Sequence, residues 1–198
     1  MPILLPTTPE PCAPYLPPVV VSLRNDVTSL VGGNRQRNNR KGDHYRARFE
    51  MEPLSYDESR RWRPLMKGSD TVVMTIPQPD IDLGTVNATG AVNGAMPLGT
   101  TLPADGLGAG AVLRKGQMIS IITAGRRWTY ALDADVTANG SGQANLLLEV
   151  MIRTLHADND VIEIREPKIE GFADYDDDAW TLDENGFVRL SFEIEERG

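Results

Sequence analysis

The sequence predicts a mostly β protein: an antiparallel β-sandwich with one short helix and a small β-barrel-like module inserted in the middle. Two segments, 44–51 and 187–196, alternate apolar and polar residues in the way that is typical of strands with one buried face. No repeated strand–helix alternation occurs, which favours antiparallel over parallel pairing. Between about residues 80 and 160, glycine and alanine become frequent and aromatic residues rare, which indicates a separate module.

Composition limits the class of protein. The 198 residues carry a net charge of −8, with an ordinary share of hydrophobic residues. This is a length at which one or two cores can form without disulfides. Cys12 is the single cysteine and stands in a proline-rich stretch, so we expect no disulfide and no reactive thiol. The first residues lack a basic leader and no apolar run could span a bilayer, so we expect a soluble chain made in a reducing compartment.

Charge is unevenly distributed along the chain. The segment 24–67 is basic and the segment from 158 onward is acidic. Overall acidity argues against nucleic acid as the main partner. Opposite charges on two segments suit head-to-tail contact between copies, which closes into rings. The alternative is that the two segments neutralise each other within one fold.

The first half of the chain contains the predicted arm and helix. Residues 1–18 are proline-rich and predict an extended arm. Strands are predicted at 19–24 and 27–32, with a turn at Asn25-Asp26, followed by a polar loop over 32–43. Tyr45, Ala47, Phe49 and Met51 should face the core, and His44, Arg46, Arg48 and Glu50 the solvent.

A capping box predicts the helix. Ser55 is followed three residues later by Glu58, a pattern that satisfies free N–H groups at a helix start. Pro64 removes an N–H and ends the helix after about two turns. Trp62 is the expected anchor onto a sheet, so we interpret this helix as architectural.

The remaining segments predict strands only. A strand at 71–76 precedes the module, which we place at 80–160. Within it, strands at 115–123, 126–136 and 141–150 should form a meander with turns at "AGRR" and "TANGSG". Strands at 161–172 and 187–196 then complete a sandwich domain formed by 19–79 and 161–198. Trp180 and a turn at 184–186 lie between them.

Candidate sites for chemistry are few. His44 and His156 are predicted to be surface histidines, and no nucleophile motif accompanies either one. The glycines at 106, 108 and 110 do not match a nucleotide-binding fingerprint. The acidic loop 174–185 lacks the glycine and glutamate that an EF-hand loop requires. We therefore predict no catalytic residue, no cofactor and no specific metal site, with a loosely bound cation at the acidic loop left open.

Several segments resemble those of tailed-bacteriophage tail-tip proteins. In the meander these are Gly116-Gln117, the aromatic strand 128–130, the turn 133–142 and Asp160-Val161. The helix "SYDESRRWRPLM", the segment "KIEGF" and the closing strand "FVRLSFEIEE" are similar to those of distal tail proteins of long-tailed phages. The resemblance covers about residues 19–196.

The resemblance implies a structural virion protein rather than an enzyme. It implies a β-sandwich that forms a ring of six copies at the tail tip, with the inserted module projecting outward as an OB-like or galectin-like barrel. Such a ring is made in the host cytoplasm and joins the tail tube protein to the tail hub protein of the baseplate. DNA would meet it only by passing through the lumen, and no membrane is involved.

Segregated charge suggests where copies meet. We hypothesise that basic residues of one copy contact acidic residues of its neighbour, namely Arg35, Arg37, Arg40 and Lys41 with Asp176, Asp177 and Asp178. The proline-rich arm is also expected to lie against a neighbour.

Other functions stay open at this point. One is a carbohydrate-binding module that uses Trp128 and Tyr130 to stack on a host-surface glycan, although the same two residues suit a core equally well. Another is a hydrolase of cell wall or capsule, and a third is a related tail-tube or baseplate component.

Overall fold

The computed structural model describes residues 2–9, 11, 17–22, 25–27, 36–38, 42–62, 71–79, 81–94, 98–175 and 180–197, without the side chains of 25–27, 36–38 and 180. In this part of the chain the protein is mostly β with one short helix, which confirms the predicted fold class. The elements are β1 (Ile3–Leu4), β2 (Val19–Val21), β3 (Asn25–Val27), β4 (Gln36–Asn38), β5 (His44–Glu50), β6 (Leu54–Ser55), α1 (Tyr56–Ser59), β7 (Val72–Thr75), β8 (Thr89–Val92), β9 (Thr101–Asp105), β10 (Val112–Leu113), β11 (Met118–Thr123), β12 (Arg126–Ala131), β13 (Val136–Thr137), β14 (Ala144–Leu147), β15 (Val161–Glu163), β16 (Lys168–Asp174), β17 (Trp180–Leu182) and β18 (Phe187–Glu196).

Two sheets contain most of the strands. An eight-stranded sheet has the order β1-β7-β16-β18-β5-β2, with β6 and β17 also pairing with β18, so its strands come from both ends of the chain. A six-stranded sheet has the order β12-β11-β15-β8-β9-β14 and uses only strands between 89 and 163. Among the described strands of these two sheets, all pairings are antiparallel except that of β1 with β7. Where one folding unit ends and the other begins stays a prediction.

The centre of the eight-stranded sheet follows the sequence pattern. On β5, Tyr45, Ala47 and Phe49 are buried and the arginines between them are exposed. On β18, the inward face includes Phe192, whose ring stacks on that of Phe49 at 5.3 Å between centroids. Period-two alternation therefore places the core on one face of both strands. His44 is the exception, because it is buried rather than exposed, and its Nε2 lies 2.8 Å from Glu195 Oε1.

The predicted capping box is present at α1. Ser55 Oγ accepts a hydrogen bond from the Glu58 N–H at 3.3 Å, and the Ser55 N–H donates to Glu58 Oε2 at 3.0 Å. Residues 60–62, directly after α1, form 3-10 helix, and Trp62 among them is completely buried. Its ring lies 6.0 Å from that of Phe192. Trp62 thus anchors the helix onto the sheet, as the sequence predicts.

The six-stranded sheet curls until its two edge strands meet. Leu132, just after β12, forms a bridge with Leu148, just after β14. The N–H of Glu149 donates to the carbonyl oxygen of Ala131 at 2.9 Å, which closes the circle at this point. The predicted three-strand meander is wrong in one respect, because β14 pairs with β9 instead of β12. The OB-like or galectin-like type of this module stays a prediction.

Three other expectations need correction. The N-terminal arm is not free of the fold, since β1 pairs with β7 and Leu5 is buried in the core. Asn25 and Asp26 belong to strand β3 instead of a turn, and β4 lies within the predicted loop 32–43. The two strands pair with each other, and this local pairing decides their structure against the turn propensity of Asn and Asp.

Gly171 allows β16 and β18 to approach closely. A Cβ atom built at this position would overlap the carbonyl oxygen of Glu195. Any side chain here would force the two strands apart. The close approach lies directly beside Glu196, the residue that pairs with Gly171 in the sheet.

Candidate functional site

The predicted contact residues lie almost wholly outside the described residues. This applies to Arg35, Arg40, Lys41, Asp176, Asp177 and Asp178. The backbone of Arg37 lies in β4, opposite Asp26, but its side chain is outside the described part. The charge pairing between copies therefore stays a prediction.

Among the described residues, a large and mostly buried polar cluster lies where β12 crosses the eight-stranded sheet. We call it the joint, and its members are Tyr45, Arg127, Thr129, Arg153, Glu163, Glu170 and Glu196. In the six-stranded sheet β12 pairs with β11 on one side only, so alternate N–H groups along its other side need acceptors.

Three strands of the eight-stranded sheet supply those acceptors, one side chain each. The Arg127 N–H donates to Glu170 Oε2 of β16 at 3.0 Å. The Thr129 N–H donates to Glu196 Oε1 of β18 at 2.7 Å. The Ala131 N–H donates to the hydroxyl of Tyr45 on β5 at 3.2 Å. Side chains thus accept the hydrogen bonds that the open edge of β12 would otherwise donate to a neighbouring strand.

Glu196 is the centre of the joint. It is 4% exposed, because the alternation of β18 continues to its end and turns this carboxylate toward the core face. Its Oε2 accepts from the Tyr45 N–H at 2.8 Å and from Arg153 Nη1 at 2.8 Å. Arg153 Nη2 donates to the carbonyl oxygen of Thr129 at 2.8 Å. Buried charges persist only when they are paired and hydrogen-bonded in this way.

The guanidinium of Arg153 keeps its charge although it is buried. Burial alone would lower the pKa of Arg153, but Glu196 beside it outweighs burial and raises the pKa above its usual value. The guanidinium binds the Glu196 carboxylate through both of its terminal nitrogens and also donates to Thr129, so Arg153 links β18 of the eight-stranded sheet to β12 of the six-stranded sheet.

A second carboxylate ties the sheets together on the far side of β12. Glu163 accepts from Ser120 Oγ at 2.7 Å, from Arg127 Nε at 3.0 Å and from Lys168 Nζ at 3.0 Å. Burial disfavours its charge, yet these donors outweigh burial and lower the pKa of Glu163 below its usual value. Lys168 begins β16, so this contact also joins the six-stranded sheet to the eight-stranded one.

A chain of hydrogen bonds extends from the joint into the six-stranded unit. The Arg153 N–H donates to the Tyr130 hydroxyl at 3.3 Å, and that hydroxyl lies 3.2 Å from His156 Nε2. His156 Nδ1 lies 2.6 Å from Thr123 Oγ1, which donates its own proton to Asp160 Oδ2 at 2.5 Å. His156 Nδ1 is therefore the donor to Thr123, and Nε2 accepts from Tyr130. The prediction of a surface histidine is wrong, because His156 is buried among these partners.

The buried imidazole makes stability depend on pH. Burial, with a smaller contribution from Arg153, lowers the pKa of His156 from 6.5 to about 4, while Asp160 opposes this change. Between these two values the unfolded chain binds a proton that the folded chain does not, so stability falls as the pH drops from about 6.5 to 4. At ~1.4 kcal/mol per pKa unit, we expect a loss of roughly 2 to 3 kcal/mol, measured by urea unfolding across this range.

His44 provides the control for this prediction. The His156→Gln variant should lose the part of the pH dependence that belongs to the imidazole, whereas His44→Gln should retain it. If the unfolding free energies of the wild type and of His156→Gln decreased in parallel from pH 6.5 to 4.5, this would show that His156 is not held neutral.

The structure does not provide the stacking platform considered for a glycan. Tyr130 is completely buried and belongs to the core. Trp128 is half-buried, and the guanidinium of Arg126 lies 3.9 Å from the centre of its ring. Trp128 and Tyr130 therefore do not form a pair of exposed aromatic rings on which a sugar could stack.

Two ion pairs lie on the outer face of the eight-stranded sheet. Arg46 Nε lies 3.2 Å from Glu193 Oε1, and Arg48 Nη2 lies 3.4 Å from Glu50 Oε1. A shallow depression of about 120 Å³ lies beside Arg48 and Asp174. Small-molecule sites are usually cavities of about 300 to 1,000 Å³, so this depression is small for a ligand site.

Within the described ranges, no group of three or more His, Cys, Asp or Glu side chains is placed to hold a metal ion. In the same part of the chain, no helix is long and apolar enough to cross a membrane. Neither a known family model nor a curated protein matches the sequence. The resemblance to tail-tip proteins accordingly stays a prediction.

Proposed function

We propose that this protein is a structural component of a bacteriophage tail tip, of the distal tail type, that assembles into a ring and joins the tail tube to the hub. In this proposal the eight-stranded sheet belongs to the ring and the six-stranded unit projects outward. The virion is its location, and copies of itself, the tube protein and the hub protein are its partners.

One observation carries the proposal. Three of the segments that carry the resemblance, the aromatic strand 128–130, "KIEGF" and "FVRLSFEIEE", meet at the joint. There, side-chain hydrogen bonds link the six-stranded sheet to the eight-stranded sheet. A subunit linked in this way suits a closed ring, in which neighbours repeat at a fixed angle.

The charges of the described residues agree with an assembly role. The joint uses its buried carboxylates, Glu163, Glu170 and Glu196, as acceptors for donors of the same chain. In glycosidases, in metal-dependent enzymes and in enzymes with a nucleophilic side chain, the reacting carboxylate or histidine faces a cleft that substrate can enter. The three carboxylates of the joint bind donors of their own chain, which supports a role in orientation.

Oligomeric mass tests the proposal. Size-exclusion chromatography with light scattering should give a particle of about six times the 21.8 kDa chain mass. A chain that stays monomeric at high concentration would contradict a ring-forming function.

A charge reversal tests the predicted contact between copies. Replacement of Asp176, Asp177 and Asp178 by lysine should abolish the ring, because like charges would then face each other across the contact with Arg35, Arg37, Arg40 and Lys41. The matched control is Glu184→Lys, at an exposed turn that is not part of the predicted contact. Reversal of the basic residues to glutamate in the same chain should restore the ring. Unchanged rings in the triple-lysine variant would exclude this contact.

A further inference from the structure

The eight-stranded sheet ends, at both edges, in strands from the first 21 residues of the chain. β1 is the outer strand beside β7, and β2 is the outer strand beside β5. The N-terminal segment therefore covers the two main-chain edges that the rest of this sheet would otherwise leave open.

β1 binds at the edge of β7, at a site that we call the seat and that makes few but specific contacts. The Ile3 N–H donates to the carbonyl oxygen of Thr71 at 2.8 Å, and the Leu5 N–H donates to that of Val73 at 2.9 Å. Leu5 is buried within the core cluster and Ile3 packs against it, while Leu4 is 62% exposed on the other face. Two backbone hydrogen bonds and one buried side chain thus define the seat.

The segment that joins β1 to the rest of the chain is short compared with the width of the sheet that it must cross. Six peptide units join Leu5 to Pro11, and they reach at most about 21 Å. Pro11 forms a bridge with Met51 at the end of β5, on the side facing away from β18, because the Met51 N–H already donates to Leu190 of β18. Five strand spacings of about 4.8 Å separate β1 from that side of β5 in a flat sheet, or about 24 Å. The connection closes only because the sheet curls.

A short and tight connection is the condition under which a terminal element exchanges between copies. An identical strand from a second copy would make the same two hydrogen bonds and bury the same leucine. Exchange therefore loses none of these contacts, and it frees the connection from crossing its own sheet.

We propose that β1 is an exchanged strand: in the assembled protein, Ile3–Leu5 of one copy pairs with β7 of the adjacent copy. This inference rests on the proposed ring function, since the reach of the arm restricts the acceptor to a direct neighbour. Each copy gives one strand and accepts one, so the contacts run head to tail and close when the ring is complete.

Cysteine pairs at the seat test the exchange. Leu4 and Val73 are opposite each other in the β1–β7 register. Chains with Leu4→Cys and chains with Val73→Cys, both with Cys12→Ser, are mixed in urea, refolded together and oxidised. Exchange predicts a disulfide-linked product of about twice the 21.8 kDa chain mass. The matched control pairs Leu4→Cys with Leu182→Cys, a residue that is also 62% exposed but lies on β17; it should give no such product.

The double variant, with both cysteines on one chain, separates the outcomes. A disulfide that forms only within single chains, with no two-chain product from the mixture, would overturn the exchange. If light scattering still shows the ring in that sample, the proposed function stands without it. A two-chain product in particles that remain dimers would support the exchange and contradict the ring.

Discussion

Glu196→Gln is expected to lower the free energy of unfolding by about 3 to 5 kcal/mol, which is the usual effect of removing one partner from a buried ion pair. Glutamine keeps the size of the side chain and one oxygen acceptor. It leaves the guanidinium of Arg153, whose side chain is 5% exposed, without a counter-charge. Denaturant unfolding at pH 7 measures the change.

The neighbouring residue is the control. Glu195 faces outward on the same strand, with its side chain 46% exposed, so Glu195→Gln should cost less than about 1 kcal/mol. In addition, Arg153→Gln combined with Glu196→Gln should be less destabilising than the sum of the two single changes, because the two residues form one interaction. Equal losses for Glu195→Gln and Glu196→Gln would show that the joint does not depend on this carboxylate.

Trp62→Ala should destabilise the protein by about 3 to 5 kcal/mol, because truncation of a fully buried aromatic residue removes its packing and leaves a cavity. The ring of Trp62 lies against that of Phe192 in the centre of the eight-stranded sheet. Thermal or urea unfolding of the variant measures the loss.

Tyr56 tests whether the effect comes from packing or from the helix itself. It lies on α1 with 64% of its surface exposed, so Tyr56→Ala should change stability by less than about 0.5 kcal/mol. If both substitutions had the same small effect, the interpretation of the helix as an anchor would be wrong.

Local features of this fold could be predicted from the sequence. The capping box at Ser55 and Glu58, the alternation of β5 and the tight turn at Ala124-Gly125 each depend on residues within a few positions of one another. Their geometry is decided by backbone sterics and by short-range hydrogen bonds, which sequence spacing reports directly.

Pairings between distant segments were less predictable. The strand β14 was expected beside β12, its neighbour in the sequence, but it pairs with β9 across the sheet. Both arrangements give the same alternation along β14, so periodicity alone cannot decide between them. β4 has a different explanation: residues 32–43 are polar and flanked by glycine, so no apolar alternation indicates a strand there.

In the joint, the position of one residue could be predicted from the sequence, but its partner could not. Glu196 continues the alternation of Leu190, Phe192 and Ile194, so its inward position could have been predicted by extending the pattern by one step. Nothing in the local sequence distinguishes Arg153 as its partner, since the two residues are brought together only by the packing of the two sheets. The burial of His156 has a different origin, because its partners Tyr130 and Thr123 both belong to the six-stranded unit.

Negative-stain electron microscopy of the purified protein shows directly whether copies of it assemble into a ring. We expect rings of uniform diameter with an open lumen and six outward projections, formed without any other protein. Fields of separate small particles at the same concentration, with no rings, would contradict it.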